Sequence, residues 1–206
     1  MTASDIGDSR RARAERFAIQ SHCAHLRENV IRDSSQMPNI IVCPVASHVA
    51  FANFQESVLK GVEFSRVSPF MDPSVLSKIK RQTNGEKCFL WGLRATHIPN
   101  KVWQDIREDD DILFLTSGAL RYHCKVLTKL KNIELAEVMW KKLFAHDNFE
   151  NVLFLSTVRE VNIPRKRYNE ALSYKEGAYI QAVRILNPSQ SYLIRQEFDL
   201  GGKEKS

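Results

Sequence analysis

Residues 111–127 constrain this chain more than any other segment. Asp111-Ile-Leu-Phe-Leu115 and Arg121-Tyr-His-Cys-Lys-Val-Leu127 are two strand-like runs, and only Thr116-Ser117-Gly118-Ala119 separates them. A connection this short, with a glycine in it, joins strands as an antiparallel hairpin; a parallel pair needs a crossover of a dozen or more residues. Further strand patterns are Asn39-Ile-Ile-Val-Cys-Pro44, Lys87–Leu93, Asn151–Leu155 and Tyr179–Leu186. Helical patterns lie between them. Phe51, Phe54 and Val58 share one side of a short helix over 51–59. Asp72-Pro73 opens a helix over 73–80 with Val75, Leu76 and Ile79 on its apolar face. A helix over 99–106 presents Val102, Trp103 and Ile106. Asn132 caps a helix reaching residue 146, with Leu135, Met139 and Leu143 in one stripe and Ala136, Trp140 and Phe144 beside it. Pro164 opens a short basic helix ending near Leu172. The parallel βαβ rhythm is absent. The predicted class is α+β: a small, curled, mostly antiparallel sheet or barrel surrounded by helices.

The 206 residues suffice for one sizeable core. No apolar run approaches the roughly 20 residues of a membrane span, and the polar N-terminus has no apolar signal region. Cys23, Cys43, Cys88 and Cys124 are scattered without a CxxC pair, which fits a reducing cytoplasm. Residues 1–37 read as an N-terminal arm, helical or disordered. They carry six arginines and five acids, and Ser9 is placed to cap a helix through Ala14, Phe17 and Ala18. The compact domain spans 38–200, and 201–206 form a polar tail.

The net charge is +6, and its distribution favours a polyanionic partner. Residues 121–142 carry Arg121, Lys125, Lys129, Lys131, Lys141 and Lys142 against Glu134 and Glu137 alone. Arg159, Arg165, Lys166 and Arg167 form a second cluster. Arg121, Lys125, Lys129, Arg165, Lys166 and Arg167 are the expected phosphate contacts. Catalytic motifs are missing: there is no Gly-rich phosphate loop, GxSxG or HExxH. His22, Cys23 and His25 lie close together, but no second ligand pair follows at zinc spacing. His97, His123 and His146 stand alone. No metal and no cofactor is implied. The acidic run Glu108-Asp-Asp-Asp111 has the composition of a carboxylate site but precedes an apolar strand, where acids usually form a solvated turn.

The three tryptophans divide into two kinds. Trp140 belongs to a helical apolar stripe and reads as core. Trp91 and Trp103 fall beside turn residues, where an aromatic face can stack on an unstacked base for about 1–3 kcal/mol. The order Phe89-Leu-Trp-Gly92, Trp103, the acidic turn into Asp111-Ile-Leu-Phe-Leu-Thr-Ser-Gly118, then Tyr122–Leu127 resembles the PUA-like superfamily, its EVE and YTH branches most closely. Asn132–Trp140 followed by Asn151–Leu155 resembles the EVE-like N-terminal domains of modification-dependent restriction proteins. The resemblance covers residues 38–186. It implies a barrel-like sheet whose pocket receives an extruded, often methylated base. Trp103 matches a cage wall, and Thr116 and Ser117 match a polar turn at the base edge. Trp91 and Gly92 stand where EVE proteins carry a lysine–serine pair. Trp140 becomes a second wall if its helix lies over the sheet opening. The expected function is therefore a DNA-binding specificity module for a modified base in a restriction or defence system. It would not be an enzyme; catalysis would come from a fused or partner nuclease or NTPase. The alternatives are a YTH- or PUA-type reader of modified RNA or tRNA, and a small nuclease or base hydrolase using Glu108–Asp111 or His123.

Overall fold

The structure is a computed structural model and describes residues 37–85, 87–94, 98–140 and 149–200. The expectations for the Ser9 helix, for His22, Cys23 and His25, for His97 and His146, for Lys141, Lys142 and the far end of the Asn132 helix, and for the polar tail lie outside the described residues.

The described residues form an α+β fold around one seven-stranded sheet. Its strands are β1 (Ile40–Pro44), β2 (Phe89–Leu93), β3 (Asp111–Thr116), β4 (Ala119–Lys131), β5 (Asn151–Leu155), β6 (Arg159–Pro164) and β7 (Arg184–Ile185). The helices are α1 (His48–Phe54, continued by a π turn over Gln55–Leu59), α2 (Phe64–Val67), α3 (Pro73–Gln82), α4 (Asn100–Asp105), α5 (Ile133–Trp140), α6 (Arg165–Ala171) and α7 (Pro188–Phe198). The strand order is β2-β5-β4-β3-β1-β7, with β6 also paired to β4, and the sheet does not close into a barrel.

The hairpin forms as the sequence predicts. Thr116 pairs with Ala119, and the two residues between them, Ser117 (φ 48°) and Gly118 (φ 78°), both adopt the left-handed conformation. Two left-handed central residues make the turn type whose twist matches paired strands. Strand β4 is 13 residues long and organises the rest. Its first half pairs with β3 and β6, and its second half with β5. Pairing shifts at Leu120/Tyr122 and Val126/Thr128 interrupt the ladders. Such bulges add twist, and they curl the sheet.

All pairings but one are antiparallel. The exception is β1 with β3, which run parallel from Ile40↔Asp111 to Pro44↔Leu115. Residues 45–110 supply the long connection a parallel pair requires. The predicted strand over 179–186 contracts to β7, which pairs with β1 through Arg184 and Ile185. Three elements had escaped the sequence reading, α2, β6 and α7. Helix α7 nevertheless carries a capping box, Asn187 with Gln190, and Pro188 in its first turn.

Alternation along the strands sorts the core into layers. Ile41, Cys43, Ile112, Phe114, Trp91 and Leu153 face the hollow of the curled sheet. There they meet Phe54 and Val58 of α1 and its π turn, and Trp103 and Ile106 around α4. Their neighbours Ile40, Val42, Leu113 and Leu115 face outward and are covered by Tyr168 of α6 and Ile194 of α7. Leu90, Val152 and Phe154 are covered by Phe64 and Val67 of α2, Ile79 of α3 and Leu135 and Trp140 of α5. Burial on both faces explains why β1, β3 and β5 are almost continuously apolar.

Candidate nucleic-acid interface

Thr116 and Ser117, the two polar residues expected at a base edge, lie at the mouth of a cavity of about 360 Å³ at the β3–β4 turn. Four segments build it: Pro44–His48 after β1, Phe51 of α1, the turn 115–118, and Arg165 of α6 with Tyr179 and Ile180. Each has a local cause. Ser47 caps α1, its Oγ accepting from Ala50 N at 3.0 Å, and so fixes where His48 and Phe51 stand. Arg165 N donates to Gly118 O at 3.1 Å, tying α6 to the turn. Asn169, fully buried, donates through Nδ2 to the carbonyls of Lys175, Glu176 and Ala178. That clamp holds the loop leading to Tyr179. The Tyr179 ring is 65 % exposed and lies 4.4 Å beneath the Arg165 guanidinium, and Phe51 is 37 % exposed. Both rings thus present surface to water beside the hydroxyl groups of the turn.

The six expected base-pocket residues fall in three places. Thr116 and Ser117 line the turn cavity. Trp91, Gly92 and Trp140 line a smaller cavity of about 220 Å³, with Asn53 and Phe149, which shares Pro44, Ala46 and Ser47 with the turn cavity. Trp103 lines neither. Its ring is 8 % exposed and lies under Lys129 Nζ at 5.0 Å, and the same ammonium donates to the carbonyls of Trp103 and Gln104 at the end of α4. Trp91 is also 8 % exposed, set edge-on to Phe54 and Phe114 at 6.0 and 5.5 Å. Gly92 serves Trp140: a Cβ there would meet the indole carbons at 2.5–2.9 Å, so glycine lets the ring lie flat on β2.

The six expected phosphate contacts also divide. Lys129 is occupied at α4, and burial there lowers its pKa. Lys125 reaches Asp111 at 3.5 Å, Lys166 pairs with Glu176 at 3.0 Å, and Arg167 pairs with Glu197 at 2.5 Å. Arg121 and Arg165 have no carboxylate partner among the described residues, and Arg165 is the one at the cavity.

The acidic run is consumed by the fold. Glu108 pairs with Lys78 at 2.5 Å, and Asp109 turns the chain with φ 68°. Asp110 accepts from Asn39 N and Arg107 N, both at 2.7 Å. Asp111 is buried against His123, Arg195 and Lys125. Burial pushes its carboxyl up, but hydrogen bonds from His123 and Arg195 and the nearby positive charge outweigh that and hold it below its ordinary value. Among the described residues, no cluster of three or more His, Cys, Asp or Glu is placed to hold a metal ion. Cys43, Cys88 and Cys124 are buried and unpaired; burial pushes the thiols of Cys43 and Cys88 up to about 12. No described helix is long and apolar enough to cross a membrane.

Sequence reasoning missed Phe51, His48 and Tyr179. The available signal was a tyrosine in a Gly-containing loop, Gly177-Ala-Tyr179, directly after the basic helix.

No family model and no curated protein matches the chain. Among solved structures, it is similar to the N-terminal domain of Thermococcus gammatolerans McrB, bound to m5C DNA. The TM-score is 0.62 at 16 % identity, over 80 % of this chain and 99 % of that one. The two chains share a fold, and it is the curled α+β fold that the resemblance implied.

Proposed function

We propose that this chain is a DNA-binding module that recognises a methylated base by taking it, extruded, into the cavity at the β3–β4 turn. The observation that carries the reading is the convergence there of two exposed rings, Tyr179 and Phe51, with Thr116, Ser117 and Arg165, which has no carboxylate partner among the described residues. Extruding a base costs a few kcal/mol. Stacking on Tyr179 or Phe51 and contacts from Arg165 and Arg121 to flanking phosphates offset that cost. The stacking role expected for Trp103 passes to these rings in this reading. The shared fold with a domain solved on m5C DNA supports DNA as the polymer. The chain would act as the specificity element of a restriction system, with cleavage supplied by an effector nuclease or NTPase.

The test is direct binding of the full chain, at one fixed salt concentration, to a short duplex carrying one 5-methylcytosine, to its unmodified twin and to RNA of the same sequence. The reading predicts the methylated duplex bound several-fold more tightly than either competitor, with all strands intact afterwards. Equal affinity for both duplexes would remove base recognition. RNA preferred would favour the RNA-reader alternative, and strand cleavage or base loss the enzymatic one.

A further inference from the structure

A third cavity, of about 340 Å³, opens at the opposite end of the β3–β4 hairpin from the turn. Lys125, Arg159, Arg195, His123 and Asp111 line it, with Ser156 and Thr157 at its edge. We propose that this cavity is a phosphate-binding site.

The argument begins with charge. Among the lining residues there are three permanent cations, Lys125, Arg159 and Arg195, and one carboxylate, Asp111. Arg159 Nε donates to His123 Nδ1 at 2.7 Å, so that nitrogen accepts and Nε2 carries the hydrogen facing Asp111 Oδ1 at 2.8 Å. Leaving the imidazole aside, the permanent charges at the cavity are three positive against one negative. Asp111 is already engaged on both oxygens, Oδ1 by His123 and more distantly by Lys125, Oδ2 by Arg195. A buried carboxylate with a single cation would complete a structural ion pair; two further cations around the same cavity exceed that need.

Geometry points the same way. The Arg195 side chain is 13 % exposed, and its Nη1 is buried without a partner among the described residues. Arg159 is anchored through Nη2 to Leu200 O at 2.8 Å, and Lys125 is 47 % exposed at the rim. Two guanidinium groups held by their other nitrogens, with a half-exposed ammonium at the rim, suit a tetrahedral oxyanion.

The phosphate could belong to a nucleic-acid backbone or to a free or terminal phosphate group. The span of β3, five steps at roughly 3.3 Å, separates this cavity from the one at the turn by about 17 Å. The phosphate site stands independently of base capture; only its use by the same duplex rests on that reading.

The test uses the full chain. Thermal melting is followed while inorganic phosphate is titrated against sodium chloride of matched ionic strength. A specific site raises the melting temperature with phosphate beyond chloride. Lys125→Gln and Arg159→Gln should each at least halve that rise, and Lys166→Gln, on a separate exposed pair with Glu176, should leave it intact. If Arg159→Gln does not fold, Lys125→Gln alone decides. In parallel, duplex affinity is measured against salt. A slope shallower by about 0.9 in Lys125→Gln assigns the site to the DNA backbone. An unchanged slope with a lost phosphate response assigns it to a free or terminal phosphate. No phosphate response beyond chloride, or an equal response in all variants, overturns the proposal. Failure of base recognition shows separately, as equal affinity for methylated and unmodified duplexes.

Discussion

The hollow of the curled sheet and the rim at the β3–β4 turn both gather aromatic side chains, and they use them in opposite ways. In the hollow, Phe54 and Phe114 are fully buried with ring centroids 4.7 Å apart, and Trp91 and Trp103 are 8 % exposed. At the rim, Tyr179 and Phe51 are 65 % and 37 % exposed beside serine, threonine and arginine. The difference teaches that a tryptophan beside a turn does not by itself mark a stacking surface. An indole there can still fold back onto the core, as Trp103 does beneath Lys129. In the proposed site the rings are ones the fold leaves in water, and the bonds of Asn169 hold the loop that leads to Tyr179.

The contrast yields graded expectations. Trp103→Ala removes a core anchor and should cost about 3–5 kcal/mol of stability, read by chemical denaturation. Its folded fraction should keep the preference for modified DNA; loss of preference with intact stability would move Trp103 to the rim class.

Asp111→Asn should cost about 3 kcal/mol at neutral pH, because it strips the buried Arg195 of its carboxylate. The folded-state pKa of Asp111 is depressed, so its stabilisation is complete above the unfolded value near 3.9 and is lost as pH falls through the lower folded value. The stability gap between wild type and variant should therefore hold above about pH 5 and close in more acid solution. A gap independent of pH would contradict the assigned charge.

Gly92→Ala should cost about 1–3 kcal/mol, since the new methyl group meets the Trp140 ring. A neutral result would show that α5 moves freely over β2. Tyr179→Ala should barely change stability, within about 0.5 kcal/mol. It should weaken the methylated duplex by about 1–3 kcal/mol and the unmodified one much less. Equal losses on both would make Tyr179 a backbone contact.

The legible part of the fold was the part encoded locally. Strands β1, β3 and β5 announce themselves as apolar runs, the Ser117-Gly118 turn fixes the hairpin, and Asp72-Pro73 and Asn132 start helices where expected. The parallel pairing of β1 with β3 has no local signature, because it joins residues 71 positions apart, as Asn39 and Asp110 are. Strand β6 is hard to see because only Val161 and Ile163 are apolar on its inner face, Arg159 takes the third position there, and Pro164 ends it. Tyr179 reads as the start of a strand, but its loop follows the Asn169 clamp instead. Of the residues in the proposed site, Thr116, Ser117 and Arg165 were singled out from the hairpin and the basic helix. Their meeting with Phe51 and Tyr179 was not, because four distant segments converge there only in three dimensions.

The central claim is that the rim cavity, and not the buried tryptophans, receives the base. A crystal structure of the full chain with a short duplex carrying one 5-methylcytosine tests it most directly. The account predicts the methylated base turned out of the helix, stacked on Tyr179 or Phe51, with its polar edge at Thr116 and Ser117. A base still stacked within the duplex, or lodged between Trp91 and Trp140, would contradict it.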